Sequence, residues 1–427
     1  MASSAFSRLP GFRDFPPEDL ALRSVIFEAW RRTSRRYGFL EYDGPPLEPL
    51  DLYVEKSGQE IVGQLYNFVD KGDRNVTLRP EMTPSLARIL GDRSRGMSKP
   101  IRWFSIPQLF RYERQQRGRL KEHFQWNVDI IGESGVAADV EVIALGIDGL
   151  RALGLTSRDF VARVSDRRLL TALLGALGVG AERLPRAFAL VDKLERQPRD
   201  KSRAHLTDEL GLEPSVADQV LGLFDDSGID ALADRFGDRD EVGAALEPLG
   251  EYVASLQAMG LGDFVEVDLT IVRGLAYYTG IVFELFDRKG ELRAICGGGR
   301  YDRLLELVGG EALPAVGFGM GDVVLGELLS DRGLVPDYER SLDYFLVLIS
   351  EEHRPDALRL AHRLRESGKT VAYPFSERSV GKQMKVAAKE GAREVLIVGP
   401  DELARDCVLV RDMASGEERE IPLDELG

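Results

Sequence analysis

The strand-like segments of this chain fall into two groups. A long stretch without strand character separates them. The first group is IRWFSIPQLF and FQWNVDIIG, and the second is VEVDLTIV, GIVFELF and LRAIC. Between them, residues 165–258 are dominated by leucine, alanine and charged residues in short helical patterns. We therefore predict an antiparallel sheet that an inserted, mostly helical subdomain interrupts. The turn-rich residues 287–290 join GIVFELF to LRAIC, which predicts a hairpin.

A different rhythm begins near residue 342, after a linker rich in glycine, proline and charge. DYFLVLIS, TVAY and EVLIVG are strand-like, and helical patterns run through ALRLAHRLRES and KQMKVAAKE. Strands that alternate with helices are typical of a parallel α/β unit. We therefore predict an α+β chain of several domains. Its predicted parts are a sheet domain at 1–164 and 259–330, a helical insertion at 165–258, a linker at 331–341 and an α/β domain at 342–427.

The segment from Pro16 to Gly38 has the features of an amphipathic helix. Prolines and acids open it and arginines close it, which matches the helix dipole at both ends. Apolar residues recur at helical spacing and are predicted to face the core. These residues are Leu22, Val25, Ile26, Ala29 and Trp30.

The composition excludes several classes of protein. No apolar run approaches the roughly 18 residues that a membrane span needs, and the first residues lack the apolar core of a signal peptide. With 2 cysteines, the chain builds neither a disulfide framework nor a zinc knuckle. No G-x-x-x-x-G-K-[ST] phosphate loop is present, and the 4 histidines are scattered. We expect a cytoplasmic protein that makes no use of a membrane, and the metal ligands stay unknown.

The formal net charge of −15 argues against a surface that binds polyanions over its whole extent. Residues 111–121, RYERQQRGRLK, nevertheless concentrate positive charge against the single acid Glu113. A phosphate-bearing partner would bind at this loop, because guanidinium groups hold phosphate oxygens in pairs. The basic residues of the loop are Arg111, Arg114, Arg117, Arg119 and Lys121.

The strand after this loop has one apolar and one polar face. Since alternate side chains of a strand share a face, Gln125, Asn127 and Asp129 point one way while Trp126 and Ile130 point the other. The Cα atoms of Gln125 and Asp129 would lie roughly 13 Å apart, which suits the two ends of a small zwitterion. A half-exposed sheet with ordinary polar residues is the alternative interpretation.

Together, the strand, the basic loop and the second strand resemble motif 2 of the class II aminoacyl-tRNA synthetases. This resemblance implies that Arg111 grips the α-phosphate of ATP, that Glu113 approaches the adenine, and that Arg119 meets the nucleotide phosphates. The loop residues that it places at the tRNA acceptor end are Arg114, Gln116 and Arg117. For Arg117, a solvated surface charge is the alternative.

Two further segments resemble those of the histidine enzymes in this class. TLRPEMTPSLAR, residues 77–88, is similar to a segment whose acid and threonine bind the amino group of the substrate, which implies that role for Glu81 and Thr83. A carboxylate is a sensible partner for an ammonium group in a closed pocket. The alternative for Glu81 is an acid that the helix dipole stabilises. Gln125 is expected to help bind the amino group.

VRGLAYYTGIVFE, residues 272–284, resembles the signature peculiar to the histidyl enzymes. The resemblance implies that Arg273 reaches the α-phosphate opposite Arg111 and that these two arginines are the catalytic residues. It also implies that Tyr278 and Asp129 contact the imidazole and that Tyr277 lines the pocket. Ala276 replaces the usual aspartate of this signature, and Asp129 is one methylene shorter than the glutamate often present.

Motif 3 is the most serious departure from the family pattern. The family commonly ends this segment in Gly-Leu-Glu-Arg, whose arginine contacts the γ-phosphate, whereas this chain reads GFGMGDVVL and has Val324 at that position. The sequence therefore leaves open how the γ-phosphate is held.

The C-terminal segment resembles the anticodon-binding domain of the same family, particularly in GKQMKVAAKEGAREVLIVG. Residues 370–393 carry a surplus of three positive charges, which suits a helix that faces RNA. A solvated helix face explains the charge about equally well.

The resemblance as a whole implies ATP-dependent ligation of L-histidine to tRNA(His), with Mg²⁺ as a cofactor. It also implies a homodimer that pairs near Pro45–Glu48. The main alternative is the synthetase-like, histidine-sensing regulatory subunit of ATP phosphoribosyltransferase, which Val324 slightly favours and the C-terminal domain disfavours. A non-catalytic RNA sensor is a third possibility, and it would not need Glu81, Arg111 and Arg273 together.

Overall fold

The structure is a computed structural model that describes residues 7–57, 59–91, 93–112, 117–194, 197–225, 228–272, 278–303, 306, 312–336 and 341–426. The chain divides into two compact units, Met1–Pro336 and Asp337–Gly427. Among the described residues, no helix is long and apolar enough to cross a bilayer.

A large mixed sheet forms the centre of the first unit. The strands of this unit are β1 Leu40–Glu41, β2 Leu47–Pro49, β3 Asn67–Val69, β4 Asn75–Leu78, β5 Ile101–Ser105, β6 Gln108–Phe110, β7 Glu122–Ile131, β8 Phe160–Asp166, β9 Val265–Val267, β10 Ile281–Asp287, β11 Cys296–Arg300 and β12 Ala315–Gly321. In the large sheet the order is β1-β5-β7-β12-β11-β10-β8-β9, with β6 also paired to β7. Strands β2, β4 and β3 form a separate small sheet.

Most neighbours in the large sheet are antiparallel, and only the edge pairs β1–β5 and β8–β9 are parallel among the described strands. Strand β12, late in the unit, inserts between β7 and β11. The sheet therefore closes only when segments from both sides of the helical stretch come together. This arrangement confirms the predicted α+β fold with an antiparallel core.

Helices cover one face of the sheet and build the interrupting stretch. The α-helices of the first unit are α1 Pro17–Arg36, α2 Asp51–Ser57, α3 Thr83–Leu90, α4 Val136–Arg151, α5 Arg167–Ala176, α6 Leu184–Val191, α7 Arg199–Leu210, α8 Pro214–Gly222, α9 Ile229–Phe236, α10 Asp240–Ala258 and α11 Asp322–Asp331. Helices α6, α7 and α8 share a small core of their own around Leu190, Leu206 and Leu221. The predicted domain boundaries within this unit stay a prediction.

The main core lies between the sheet and helices α1, α4 and α10. Trp30 of α1 stacks on Trp126 of β7 with ring centroids 5.8 Å apart, and Phe318 of β12 meets the same indole edge-on. Helix α4 comes close to this indole because Gly149 has no Cβ, which would otherwise overlap it. In α1, Val25 is exposed, so its predicted place in the core is wrong; the stripe is centred on Trp30 instead.

The predicted hairpin is confirmed, because β10 pairs antiparallel with β11, but the bounds predicted for its second strand, LRAIC, are wrong. Strand β11 begins only at Cys296, and the residues before it form a connection from the end of β10. The pairing of β11 with β12 requires glycine at position 298, because a Cβ there would lie 2.5 Å from the carbonyl oxygen of Gly317. Arg293 lies in the connection before this strand.

A buried ion pair joins the end of β11 to helix α4. Arg300 Nε lies 3.1 Å from Asp139 Oδ2, and both residues are buried. The remaining guanidinium hydrogens donate to the carbonyl oxygens of Glu133 and Gly135 at 3.0 and 3.1 Å. These contacts satisfy a cation that would be costly to bury alone.

The second unit is a five-stranded sheet, counted over the described residues, with helices packed on it. Its elements are β13 Leu342–Leu348, α12 Arg354–Glu366, β14 Val371–Ala372, α13 Val380–Lys389, β15 Ala392–Val398, α14 Pro400–Leu403, β16 Cys407–Asp412 and β17 Glu418–Pro422. The first three strands are parallel, as predicted, and the last two extend the sheet antiparallel.

Replacing Arg300 with methionine should destabilise the first unit by about 3–5 kcal/mol, because it leaves the Asp139 carboxylate buried without its partner. Arg300→Met/Asp139→Leu should recover part of this loss, since it removes both charges. Urea unfolding followed by tryptophan fluorescence is the measurement; Trp30, Trp103 and Trp126 all lie in this unit. Arg303→Met at an exposed position is the control, and an equal effect there would contradict the account.

Candidate functional site

Two rows of glycine form the floor of the candidate site on the sheet face opposite the main core. Gly317 and Gly319 of β12 pair with Asp129 and Asn127 of β7 on one side. On the other side, Gly319 pairs with Gly297 of β11. Because paired residues point to the same side of a sheet, the side chains of Gln125, Asn127 and Asp129 rise beside this floor.

The glycines are required by the side chains that lean over them. A Cβ at Gly319 would lie 2.7 Å from Gln125 Cδ, and a Cβ at Gly317 would overlap the Asp129 carboxylate. Neither contact is tolerable without displacing the polar side chain. The floor therefore keeps space for the polar face of β7.

A cavity of about 890 Å³ opens above one end of this floor. Its walls come from β7, the connection before β11, helix α11, the end of α6 and the residues before 273. The charged and titratable residues that line it are Arg111, Arg117, Arg119, His123, Asp192, Glu284, Glu291, Arg293 and Glu327. Gln125 also lines the cavity, whereas Glu81, Thr83, Asp129 and Tyr278 lie outside its lining.

Arg111 links the cavity to the segment that contains Glu81. Its Nε donates to the carbonyl oxygen of Pro80 at 3.0 Å, and its backbone N–H donates to Lys121 across the base of the basic loop. The predicted phosphate cation therefore sits directly beside the predicted site for the amino group.

A buried arginine holds the Glu81 segment in place. Arg79 donates to Asp43 at 2.8 Å, to the carbonyl oxygen of Gly44 at 2.6 Å and to that of Gln108 at 3.1 Å. Helix α3 then begins at Thr83. No sequence pattern separates Arg79 from the ligand-binding candidates nearby, but its buried contacts identify it as a structural anchor.

Asp129 and Tyr278 belong to a packed cluster beside the cavity. The Tyr301 hydroxyl donates to Asp129 Oδ1, and Tyr278 packs in the same apolar cluster as Tyr301. A Cβ at Gly299 would lie 3.0 Å from the Tyr278 ring. The sequence patterns did not single out Tyr301, because an isolated tyrosine carries no spacing signal.

The end of the basic loop is tied to helix α11. Arg117 Nε lies 3.3 Å from Glu327 and its Nη2 lies 3.8 Å from Asp331. The backbone N–H of Gly118 donates to Glu327 at 3.2 Å. Arg117 is thus a half-exposed, ion-paired residue and lies at the rim of the cavity.

Helix α11 begins with a second buried network. Asp322 accepts the backbone N–H of Phe124 at 2.8 Å and pairs with Arg13 at 2.9 Å. Arg13 also pairs with Glu122 at 2.7 Å. Asp322, the first residue of α11, therefore anchors this helix to β7.

Five predicted site residues lie outside the described residues. These are Glu113, Arg114, Gln116, Arg273 and Tyr277. The residue before Arg273, Val272, lines the cavity, and its carbonyl oxygen accepts a hydrogen bond of 2.8 Å from Arg167.

The carboxylates of the cavity are the candidate ligands for a metal ion. Within the described residues, no group of three or more histidine, cysteine or acidic side chains gathers to hold a metal ion. Mg²⁺ is commonly bound by one or two carboxylates and by phosphate oxygens. The acids of the cavity wall, Glu284 and Glu291 among them, fit an ion that a bound polyphosphate shares.

His123 reports the positive field at the floor of the cavity. Burial, which is the largest cause, and the nearby charges of Arg111, Arg13 and Arg119 together lower the pKa of His123 to about 3. Since the folded state disfavours protonation of His123, the free energy of unfolding falls as the pH drops from 6.5 toward 3. Above pH 6.5 the contribution of His123 to stability is complete.

We expect the His123 side chain to stay neutral between pH 8 and 5 in the folded protein. NMR of histidine labelled with ¹³C, assigned with His123→Gln, measures this directly. The signal of exposed His362 provides the internal comparison. A His123 titration with a midpoint near pH 6.5 would refute a positive field in the cavity.

Comparison with known proteins bears on what this cavity is for. The family model described as histidyl-tRNA synthetase matches residues 11–321, and the model described as anticodon binding domain matches residues 343–427. The chain is 45% identical to a histidine–tRNA ligase of Opitutus terrae over 99% of this chain and 97% of that protein. It is 40% identical to a chloroplastic/mitochondrial histidine–tRNA ligase of Arabidopsis thaliana over 97% of this chain and 85% of that protein.

The fold has a similar counterpart among solved structures. A histidyl-tRNA synthetase from Nostoc sp. PCC 7120 superposes with a TM-score of 0.82 at 25% identity, covering 99% of this chain and 98% of that chain. Sequence and fold agree over nearly the whole length, so the chain belongs to the histidyl-tRNA synthetase family of class II aminoacyl-tRNA synthetases.

Proposed function

We propose that this chain joins L-histidine to tRNA(His) through a histidyl-adenylate, with ATP as the energy source and release of AMP and pyrophosphate. One observation carries the proposal: the glycines of β12 lie beside the polar face of β7 and also in the cavity that several arginines line. The polar face suits a small amino acid and the arginines suit a polyphosphate. The curated relatives reported above are named as ligases, which does not favour the regulatory-subunit alternative.

The histidine end of the site is the cluster around Asp129. The Asp129 carboxylate is buried and accepts the Tyr301 hydroxyl, so it would orient as an acceptor toward an imidazole N–H. Tyr278 closes the same cluster. We assign Gln125, Glu81 and Thr83 to the amino group, because Gln125 shares the polar face of β7 with Asp129 and Arg111 donates to Pro80, the residue before Glu81.

At the ATP end, the first chemical step is an attack on the α-phosphorus. An oxygen of the histidine carboxylate forms a bond to phosphorus, the bond to the β-phosphate oxygen breaks, and pyrophosphate leaves. Negative charge grows on the phosphate oxygens during this step. Arg111 and Arg273 are proposed to stabilise it, with Arg119 on the nucleotide phosphates and Glu113 toward the adenine.

Glu284 and Glu291 would hold Mg²⁺ together with the phosphate oxygens, because both carboxylates line the cavity. The ion would neutralise charge on the departing pyrophosphate. The protein side chains supply the orientation of the two substrates.

In the second step, a terminal ribose hydroxyl of the tRNA attacks the carbonyl carbon of the adenylate, and AMP leaves. Arg114, Gln116 and Arg117 of the basic loop are assigned to the acceptor end. In the second unit, Phe375 is 90% exposed and precedes the basic helix α13. An exposed aromatic ring beside positive charge suits stacking with an unpaired base, which supports anticodon binding.

A homodimer is part of the proposal. The small sheet near Pro45–Glu48 exposes apolar side chains at Leu47, Phe68 and Val69. Exposed apolar residues that cluster in this way mark an interface, and a closed two-fold dimer is the usual solution. A cytoplasmic location stays a prediction.

Purified protein should charge tRNA(His) with labelled histidine in the presence of ATP and Mg²⁺. It should discriminate against glutamine and phenylalanine on the order of 10⁴-fold without editing, because a polar pocket leaves buried groups unpaired with the wrong side chain. Aminoacylation and pyrophosphate exchange measure the two steps. Histidine binding without any charging would favour the sensor alternative.

Two arginine variants separate the steps. Arg273→Ala should slow adenylation roughly 10²- to 10³-fold, because it removes a preorganised cation at the α-phosphate. Arg117→Ala should mainly impair transfer to tRNA. Adenylation by Arg273→Ala near the parental rate in pre-steady-state measurements would overturn the assignment.

A further inference from the structure

One wall of the cavity has an apolar residue on helix α11 and an arginine on the connection before β11. Val324 is buried, and its Cγ2 would lie 3.2 Å from a Cβ on Gly118. The Cδ of Arg293 would lie 3.7 Å from the same point. Val324 and the stem of Arg293 therefore pack against the same glycine, and both residues line the cavity.

The connection that carries Arg293 is fixed close to this residue. The backbone N–H of Ile295 donates to Leu285 at 2.8 Å, and its carbonyl oxygen accepts the N–H of Gly321 at 3.2 Å. At the other end, Arg288 donates to the carbonyl oxygen of Ser157 at 2.6 Å. The backbone around Arg293 is therefore fixed by hydrogen bonds. Less conformational entropy is lost when this arginine binds a ligand.

Arg117, next to Gly118, also lies on this wall and is ion-paired. Arg117 is paired with both Glu327 and Asp331 of α11. Val324 offers no charge at all. A triphosphate that extends from Arg111 toward α11 would meet the Arg293 guanidinium, whose fork of donors matches two phosphate oxygens.

We propose that Arg293 binds the β- and γ-phosphates of ATP and stabilises the leaving pyrophosphate, in place of a cation on helix α11. This inference rests on the proposed function, because it assumes that the cavity takes ATP. It deepens that function by assigning a residue whose side chain comes from the connection between β10 and β11.

Nucleotide binding measured by calorimetry tests the proposal without histidine or tRNA. Arg293→Ala should weaken ATP binding roughly 10- to 100-fold, the usual loss for a charged hydrogen-bonding pair, and leave AMP binding within about twofold. Arg293→Lys should retain an intermediate affinity for ATP, because it keeps the charge and loses the fork. Lys289→Ala removes an exposed charge from the same connection and should bind both nucleotides as the parent does.

The double variant Arg293→Ala/Val324→Arg should regain part of the ATP affinity, because it returns a guanidinium to the same wall from α11. The proposal fails if Arg293→Ala weakens ATP and AMP binding equally, which indicates a structural role, or leaves ATP binding unchanged. A failure of the proposed function can be told apart from a failure of the Arg293 assignment. A parent protein without histidine-dependent pyrophosphate exchange would overturn that function, while the comparison of ATP with AMP would still test Arg293.

Discussion

The absence of side chains along the middle of the sheet is the constraint on which the site depends. Strands β11 and β12 carry glycines where their neighbours on β7 carry Gln125 and Asp129. A methyl group at Gly317 or Gly319 would occupy the space of those polar side chains. A sheet built for stability would place β-branched residues there. The sheet gives up that packing and gains a concave polar surface over a rigid floor.

The same glycines lie between the two parts of the site, the cluster around Asp129 and the arginines of the cavity. On one side they leave space for the buried Asp129, which Tyr301 orients. On the other side, Arg293 of the connection before the glycine strand lines the cavity together with Arg111 and Arg119. The low pKa of His123 follows first from its burial and then from the charges of Arg111, Arg13 and Arg119, which disfavour a further positive charge.

Period-two alternation predicted the two faces of β7 correctly, because one face had to bury Trp126 against α1. The break in strand character likewise predicted an interrupted sheet. The bounds of the strand LRAIC were predicted wrongly, since local composition cannot reveal that the glycine run after it is the segment that pairs with β12. Tyr301 and Arg293 escaped notice for a related reason: their roles depend on contacts with residues more than 160 positions away in sequence, such as Asp129 and Gly118.

Histidine-dependent pyrophosphate exchange by Gly319→Ala tests the central claim most directly. The added methyl would meet Gln125 at 2.7 Å and displace it, so exchange should fall roughly 10²-fold, the usual cost of misplacing a substrate by about 1 Å. Gly146→Ala is the matched control, because its methyl would make an ordinary 3.6 Å contact with Phe318 on the opposite side of the sheet. Parental exchange rates in a folded Gly319→Ala would contradict the claim that the glycine floor shapes the site.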